Sequence, residues 1–202
     1  MKSITVLYLG LLPLFSYSQS DTLFYQDGQV KVIIEQKDFG VFKTHFYPSG
    51  NISAKLSYQD GLLSGLQEYF HPNGQLSASE NWTADLQEDS SSYFYPNGAL
   101  EKKGLFGEGL YQGQWVFGYE NGEIKRTGEY QDGLPHGKWI FYFESGELWQ
   151  TGEFSEGKES GLWTFYENGN KIYEGSFENG DRIGQWFKFN RKGNRKPWKR
   201  FK

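Results

Sequence analysis

A glycine closes an aromatic-rich turn at nearly constant spacing along this chain: Gly50, Gly74, Gly98, Gly122, Gly146, Gly169 and Gly193, at steps of 24, 24, 24, 24, 23 and 24 residues. A fixed period of this length marks a repeat array, in which a unit buries its apolar face only against its neighbours. Other positions keep step with it. An aliphatic residue follows each turn glycine two places on (Ile52, Leu76, Leu100, Ile124, Leu148), or three in the shortened unit (Ile172). An aromatic follows at eight (Tyr58, Trp82, Phe106, Tyr130, Phe154, Phe177) and a tryptophan at seventeen (Trp115, Trp139, Trp163, Trp186). Strand glycines recur at six (Gly104, Gly128, Gly152, Gly175).

Each period reads as two strands. In Trp115-Val116-Phe117-Gly118-Tyr119 the aromatics alternate, the period of a half-buried strand and not of a helix. Asn121-Gly122 then supplies the positive φ angles of a tight turn. On the returning strand Ile124, Gly128 and Tyr130 share one face. Glycine inside a strand is costly unless something needs its space. The spacing therefore predicts that each repeat tryptophan, or its companion phenylalanine, packs over a strand glycine. The fold expected is all-β, a single-layer antiparallel meander of about seven hairpin units. At ~4.8 Å per strand it would be roughly 60 to 70 Å long.

Composition narrows the chemistry. Aromatics are 19% of the residues and there are 26 glycines, which suits short strands joined by tight turns. There is no cysteine, so thiolate and disulfide chemistry are excluded. His45, His71 and His136 occupy unrelated phases of the repeat, and no serine or aspartate stands in a nucleophile motif. The glycines follow the period and lack the lysine and hydroxyl of a phosphate loop. No catalytic, metal or cofactor residues are assigned.

The ends differ from the middle. Residues 1–18 have Lys2, an apolar run from Ile4 to Phe15 and small residues Ser16 and Ser18, the form of a cleaved secretory signal peptide. The mature protein is then expected in the periplasm, at the cell surface or secreted. Residues 19–40 hold a blurred unit that caps the array at 41–193. Between Gly74 and Gly98 the repeat weakens, and Ala84 to Ser92 reads as an exposed loop whose acidic residues lack the spacing of a calcium loop. Residues 194–202 read as a basic tail. Apart from Lys2 and the seven basic groups of the last twelve residues, the chain has 13 basic against 25 acidic residues. Arg191, Lys192, Arg195, Lys196, Lys199 and Arg200, with Trp198 as an anchor, are the candidate contacts to an anionic surface.

The units from Phe46 to Gly193, most clearly Gly113 to Gly193, resemble the MORN-repeat-variant family, with its tandem G-x-W-x-x-Y/F-x-x-N-G motif followed by an aliphatic and G-x-Y/F. The resemblance implies a meandering antiparallel sheet serving as a protein- or membrane-binding platform. Some bacterial members are labelled YwqK-like antitoxins; the leader departs from that branch, and the second and third units lack the tryptophan. The function expected is a non-enzymatic, exported interaction or scaffolding module with an unknown protein partner. An anionic lipid or glycan surface, met through the basic tail and the aromatic ladder, is the alternative, and an antitoxin or immunity role the next; no nucleic acid is expected. Trp115, Trp139, Trp163, Trp186, Gly122, Gly146, Gly169, Gly128, Gly152 and Gly175 are read as structural repeat positions.

Overall fold

The computed structural model describes residues 19–202, so the proposed leader lies outside the described residues. Seventeen strands form one antiparallel sheet with no helix among the described residues. Eight hairpins follow one another: β1 (Gln19–Phe24) with β2 (Val30–Lys37), β3 (Gly40–Phe46) with β4 (Ile52–Gln59), and β6 (Gly65–Phe70) with β7 (Leu76–Thr83), the short β5 (Leu62–Leu63) preceding β6. Then come β8 (Leu86–Phe94) with β9 (Leu100–Gly107), β10 (Leu110–Gly118) with β11 (Ile124–Gln131), and β12 (Leu134–Tyr142) with β13 (Leu148–Ser155). The last two pairs are β14 (Lys158–Glu167) with β15 (Asn170–Glu178), and β16 (Asp181–Phe189) with β17 (Arg195–Phe201). Registers join consecutive strands along the chain from β1–β2 to β16–β17, except that β4 pairs with both β5 and β6. The sheet is therefore a meander with β1 and β17 as its two edges among the described residues.

Two kinds of turn form its two rims. On one rim, Asp132-Gly133 and Asn179-Gly180 place both central residues at positive φ, near 50° and 79° in the first, which matches the right-handed twist of the flanking strands. On the other, the Gly50 N–H donates to the Tyr47 carbonyl and the Tyr47 N–H to that of Asn51. This second rim is stitched from unit to unit. The tyrosine hydroxyls of Tyr25, Tyr47, Tyr95 and Tyr119 donate to the carbonyls of Phe46, Phe70, Gly118 and Tyr142, at 2.7 to 3.3 Å. His71 does the same from Nε2 to Phe94 O at 2.8 Å; because a carbonyl can only accept, that nitrogen carries the proton. Beside them Asn73, Asn97 and Asn121 donate from Nδ2 to Pro96, Glu120 and Glu144. The corresponding places in the next turn are Phe143, which lacks the phenol hydroxyl, and Ser145, which lacks the amide. Tyr119→Phe should lower stability by about 0.5 to 1.5 kcal/mol, read as an earlier urea midpoint with an unchanged slope.

Two segments differ from the sequence expectation. Residues 84–92 are not a loop: Ala84 and Asp85 make the two-residue turn (φ 49° and 65°) and β8 runs on from Leu86. Its polarity hides the strand, because the inward side chains are Ser91, almost fully buried, and Gln87, whose amide bonds Ser91 Oγ and the Tyr93 hydroxyl. Nor is 194–202 a tail beyond the array. Residues Arg195–Phe201 pair with β16, and Phe201, eight residues after Gly193, meets Trp186 edge to face at 5.8 Å. The charges along β17 suit a free edge strand, where they discourage edge-to-edge association.

Candidate interaction surfaces

One face of the sheet carries a ladder of aromatic rings. Trp115, Trp139, Trp163 and Trp186 are 0 to 2% exposed. Each lies across the strand that precedes it: a Cβ built on Gly104, Gly128, Gly152 or Gly175 would fall inside the indole of Trp115, Trp139, Trp163 or Trp186 respectively. A bulge sets this geometry. Between β11 and β12 the register slips from Thr127↔Ile140 to Glu129↔His136, and Gly137 within the slip has φ +64°. The extra residues carry Trp139 back over Gly128, where its Nε1 donates to Glu129 O at 3.1 Å. The bonds of Trp115 to Leu105 O, Trp163 to Glu153 O and Trp186 to Ser176 O repeat it. Gly122, Gly146 and Gly169 stand at the turns with φ of 92°, 83° and 70°.

Between the tryptophans run edge-to-face rings: Phe106 on Trp115, Tyr130 on Trp139, Phe154 on Trp163 and Phe177 on Trp186, all 5.1 to 5.3 Å between centroids. Pairs of this kind add to the area they bury. Where the second unit has no tryptophan, Gln67 is fully buried in its place. Its Nε2 donates to Ser57 O at 3.1 Å and its Oε1 accepts from Ser57 N–H at 2.8 Å. Ser57 O is the counterpart of Leu105 O, so an amide reproduces the indole's bond.

His45, on β3 between Val32 and Ala54, has a buried Nε2 with no hydrogen-bond partner. Burial pushes its pKa below the ordinary 6.5, and Lys43 and Lys31 push the same way. The unfolded chain therefore takes up this proton more readily, so stability holds above about pH 6.5 and falls as the pH drops through the lower folded value. His45→Phe, which places an aromatic where later units have Tyr69 and Tyr93, should flatten that fall in denaturation midpoints measured between about pH 7 and pH 5.

The opposite face offers an exposed row. Leu62, Leu86, Leu110 and Leu134 stand at the start of their strands, 24 residues apart and 41 to 49% exposed. Leu86, Leu110 and Leu134 lean toward the turn glycines Gly109, Gly133 and Gly157 of the following unit, 3.4 to 3.8 Å from where a Cβ would sit. With two strands per step, the row extends about 30 Å. Its sequence signal is a leucine twelve residues after each of Gly50, Gly74, Gly98 and Gly122.

The basic residues of the C-terminal segment do not converge. Arg191 and Lys192 sit exposed in the turn between β16 and β17. Arg195 stacks on Phe187 at 3.4 Å and pairs with Glu174 at 3.7 Å, while Lys199 is held in register with Trp186 and lies over Phe201. Trp198 packs on Tyr173 at 4.7 Å. Lys196 and Arg200 are exposed along the edge. No group of three or more His, Asp or Glu side chains converges as a metal site among the described residues.

The family model described as MORN repeat variant matches residues 43–60, 63–83, 135–156 and 160–179. These four repeats are MORN repeat variants. No curated protein matches the chain. The matched stretches include the second MORN unit, where Gln67 replaces the indole, and two tryptophan-bearing units. Between them, residues 84–134 keep the same geometry, as Trp115 over Gly104 shows.

Proposed function

We propose that this MORN-repeat protein is a non-catalytic scaffold that binds a protein partner along the leucine row. The observation that carries this reading is the division of labour between the faces: indoles line one side, whereas four leucines in step with the repeat stand open on the other. An apolar row at constant spacing suits a partner that is itself extended, with anchors at intervals of about 10 Å. The leader-like composition of residues 1–18 supports a site of action outside the cytoplasm. The double variant Leu110→Lys with Leu134→Lys should reduce capture of a partner from envelope extract at least tenfold. Its thermal midpoint should stay within a few degrees of the parent, since surface changes away from packing features cost little. Undiminished capture would overturn the proposal.

A second reading is favoured by β17, a free edge bearing Arg195, Lys196, Lys199 and Arg200. It makes that edge a contact to an anionic surface. Binding of this kind would survive the leucine changes, would weaken as salt rises, and would be lost on replacing Lys196 and Arg200 by glutamine.

A further inference from the structure

One row of paired residues crosses the sheet on the tryptophan side: Tyr93, Lys102, Phe117, Arg126 and Phe141 stand opposite one another in successive registers. The place four residues after each turn glycine is Ala54, Ala78, Lys102, Arg126, Gln150 and, in the shortened unit, Tyr173. Two adjacent units thus put cations where their neighbours have small or neutral side chains, and they flank a single ring. Their Cα atoms lie about 10 Å apart, two strand spacings.

Neither cation is neutralised. Among the described residues the ion pairs join Lys37 to Glu35, Lys55 to Glu68, and Lys171 and Arg195 to Glu174. In a chain with more acidic than basic groups, carboxylates were available and these two side chains meet none. The Arg126 guanidinium lies over Phe117 at 4.2 Å, with a buried Nε that has no partner. Lys102 donates to the Tyr111 hydroxyl at 2.8 Å and lies 4.2 Å from the Tyr93 ring. Around them is a cleft of about 300 Å³ with Phe117, Tyr111, Tyr130 and Tyr95 among its walls; Glu101 and Lys125 also line it, with opposite charges.

We propose that Lys102 and Arg126 form a carboxylate-binding cleft that receives an Asp or Glu side chain of an acidic peptide. The guanidinium offers a planar fork of N–H donors matched to the two carboxylate oxygens, and the lysine adds a second charge within reach. The aromatic walls lower the local dielectric, which strengthens both contacts. The volume suits one side chain of a longer ligand and is at the lower limit for a cofactor-sized pocket. The cleft lies on the other face from the leucine row, so it stands or falls independently of the scaffold reading.

The test is a titration of the full ¹⁵N-labelled chain with hexaglutamate and, separately, with inorganic phosphate, following the Arg126 Nε–H signal and the Trp115 and Trp139 indoles. Hexaglutamate should saturate and move these signals. Its affinity should fall at least about tenfold in Lys102→Met and in Arg126→Gln, and hold in Arg195→Gln. Lys102→Met leaves the stacked guanidinium in place and keeps the test usable if Arg126→Gln unfolds, which the dispersion of the indole signals would reveal. Equal affinity in Lys102→Met, an equal loss in Arg195→Gln, or saturation by phosphate without saturation by hexaglutamate would each overturn the proposal.

Discussion

Gly128→Ala should unseat Trp139 and cost about 3 to 5 kcal/mol, comparable to losing the indole itself. The added methyl has nowhere to go, because its position falls inside the ring, and the ring is fixed by Tyr130, Phe154 and the bond to Glu129 O. Displacing it exposes a side chain that is now 2% accessible and takes the indole donor from the Glu129 carbonyl. A double-mutant cycle isolates the cause. Once Trp139 is already alanine, Gly128→Ala should be neutral or slightly stabilising, since it removes backbone freedom from the unfolded chain. The coupling energy should therefore be about as large as the single-mutant loss. Additive effects in guanidinium denaturation would show that the glycine is there for another reason.

The second large effect is at Gln67. Gln67→Leu keeps the volume roughly constant but leaves the Ser57 N–H without its acceptor beneath a fully buried side chain, and removes the amide's bonds to the carbonyls of Ser57, Ser64 and Gly65, of which Ser57 O keeps the Ser64 N–H and Ser64 O keeps the Ser57 hydroxyl. An unsatisfied buried donor costs ~1 to 3 kcal/mol where no water can replace the partner, so a loss of about 2 kcal/mol is expected. Because stability in a repeat array is a sum of neighbour contributions, hydrogen exchange should accelerate first in β4, β6 and β7 and least in β14 to β16. Gln67→Trp alone does not reproduce the tryptophan-over-glycine packing of the later units, since Leu56 stands where they have Gly104, Gly128, Gly152 and Gly175. The pair Leu56→Gly with Gln67→Trp should recover much of what either change loses singly. Uniform acceleration along the sheet after Gln67→Leu would contradict the local account.

The sheet, its turns and the tryptophan–glycine pairs were legible in the sequence because they rest on residue types with few substitutes. Only glycine leaves room under an indole, and Asn-Gly or Asp-Gly fits a turn with positive φ at low cost. The misreadings have a common origin in polar side chains. β8 reads as a loop because Gln87 and Ser91 satisfy each other where apolar residues stand elsewhere, and β17 reads as a tail because its charges mask Phe201, the aromatic in phase with the period. Lys102 and Arg126 could not be distinguished as a pair from composition, since each looks like an ordinary solvated charge until the register sets Phe117 between them. The leucine row was present in the count but carried no distinctive residue type.

The meander also has a consequence for how such a protein can change over time. Each hairpin is bonded to the hairpins beside it, and among the described residues no register joins β1 to β17, so no strand pairing closes these ends into a ring of fixed size. Insertion or loss of one 24-residue unit would shift every later hairpin by about 10 Å and leave its packing with the units beside it intact. Length here is a free variable: the distance between two binding features can be altered by whole rungs without redesigning any of them.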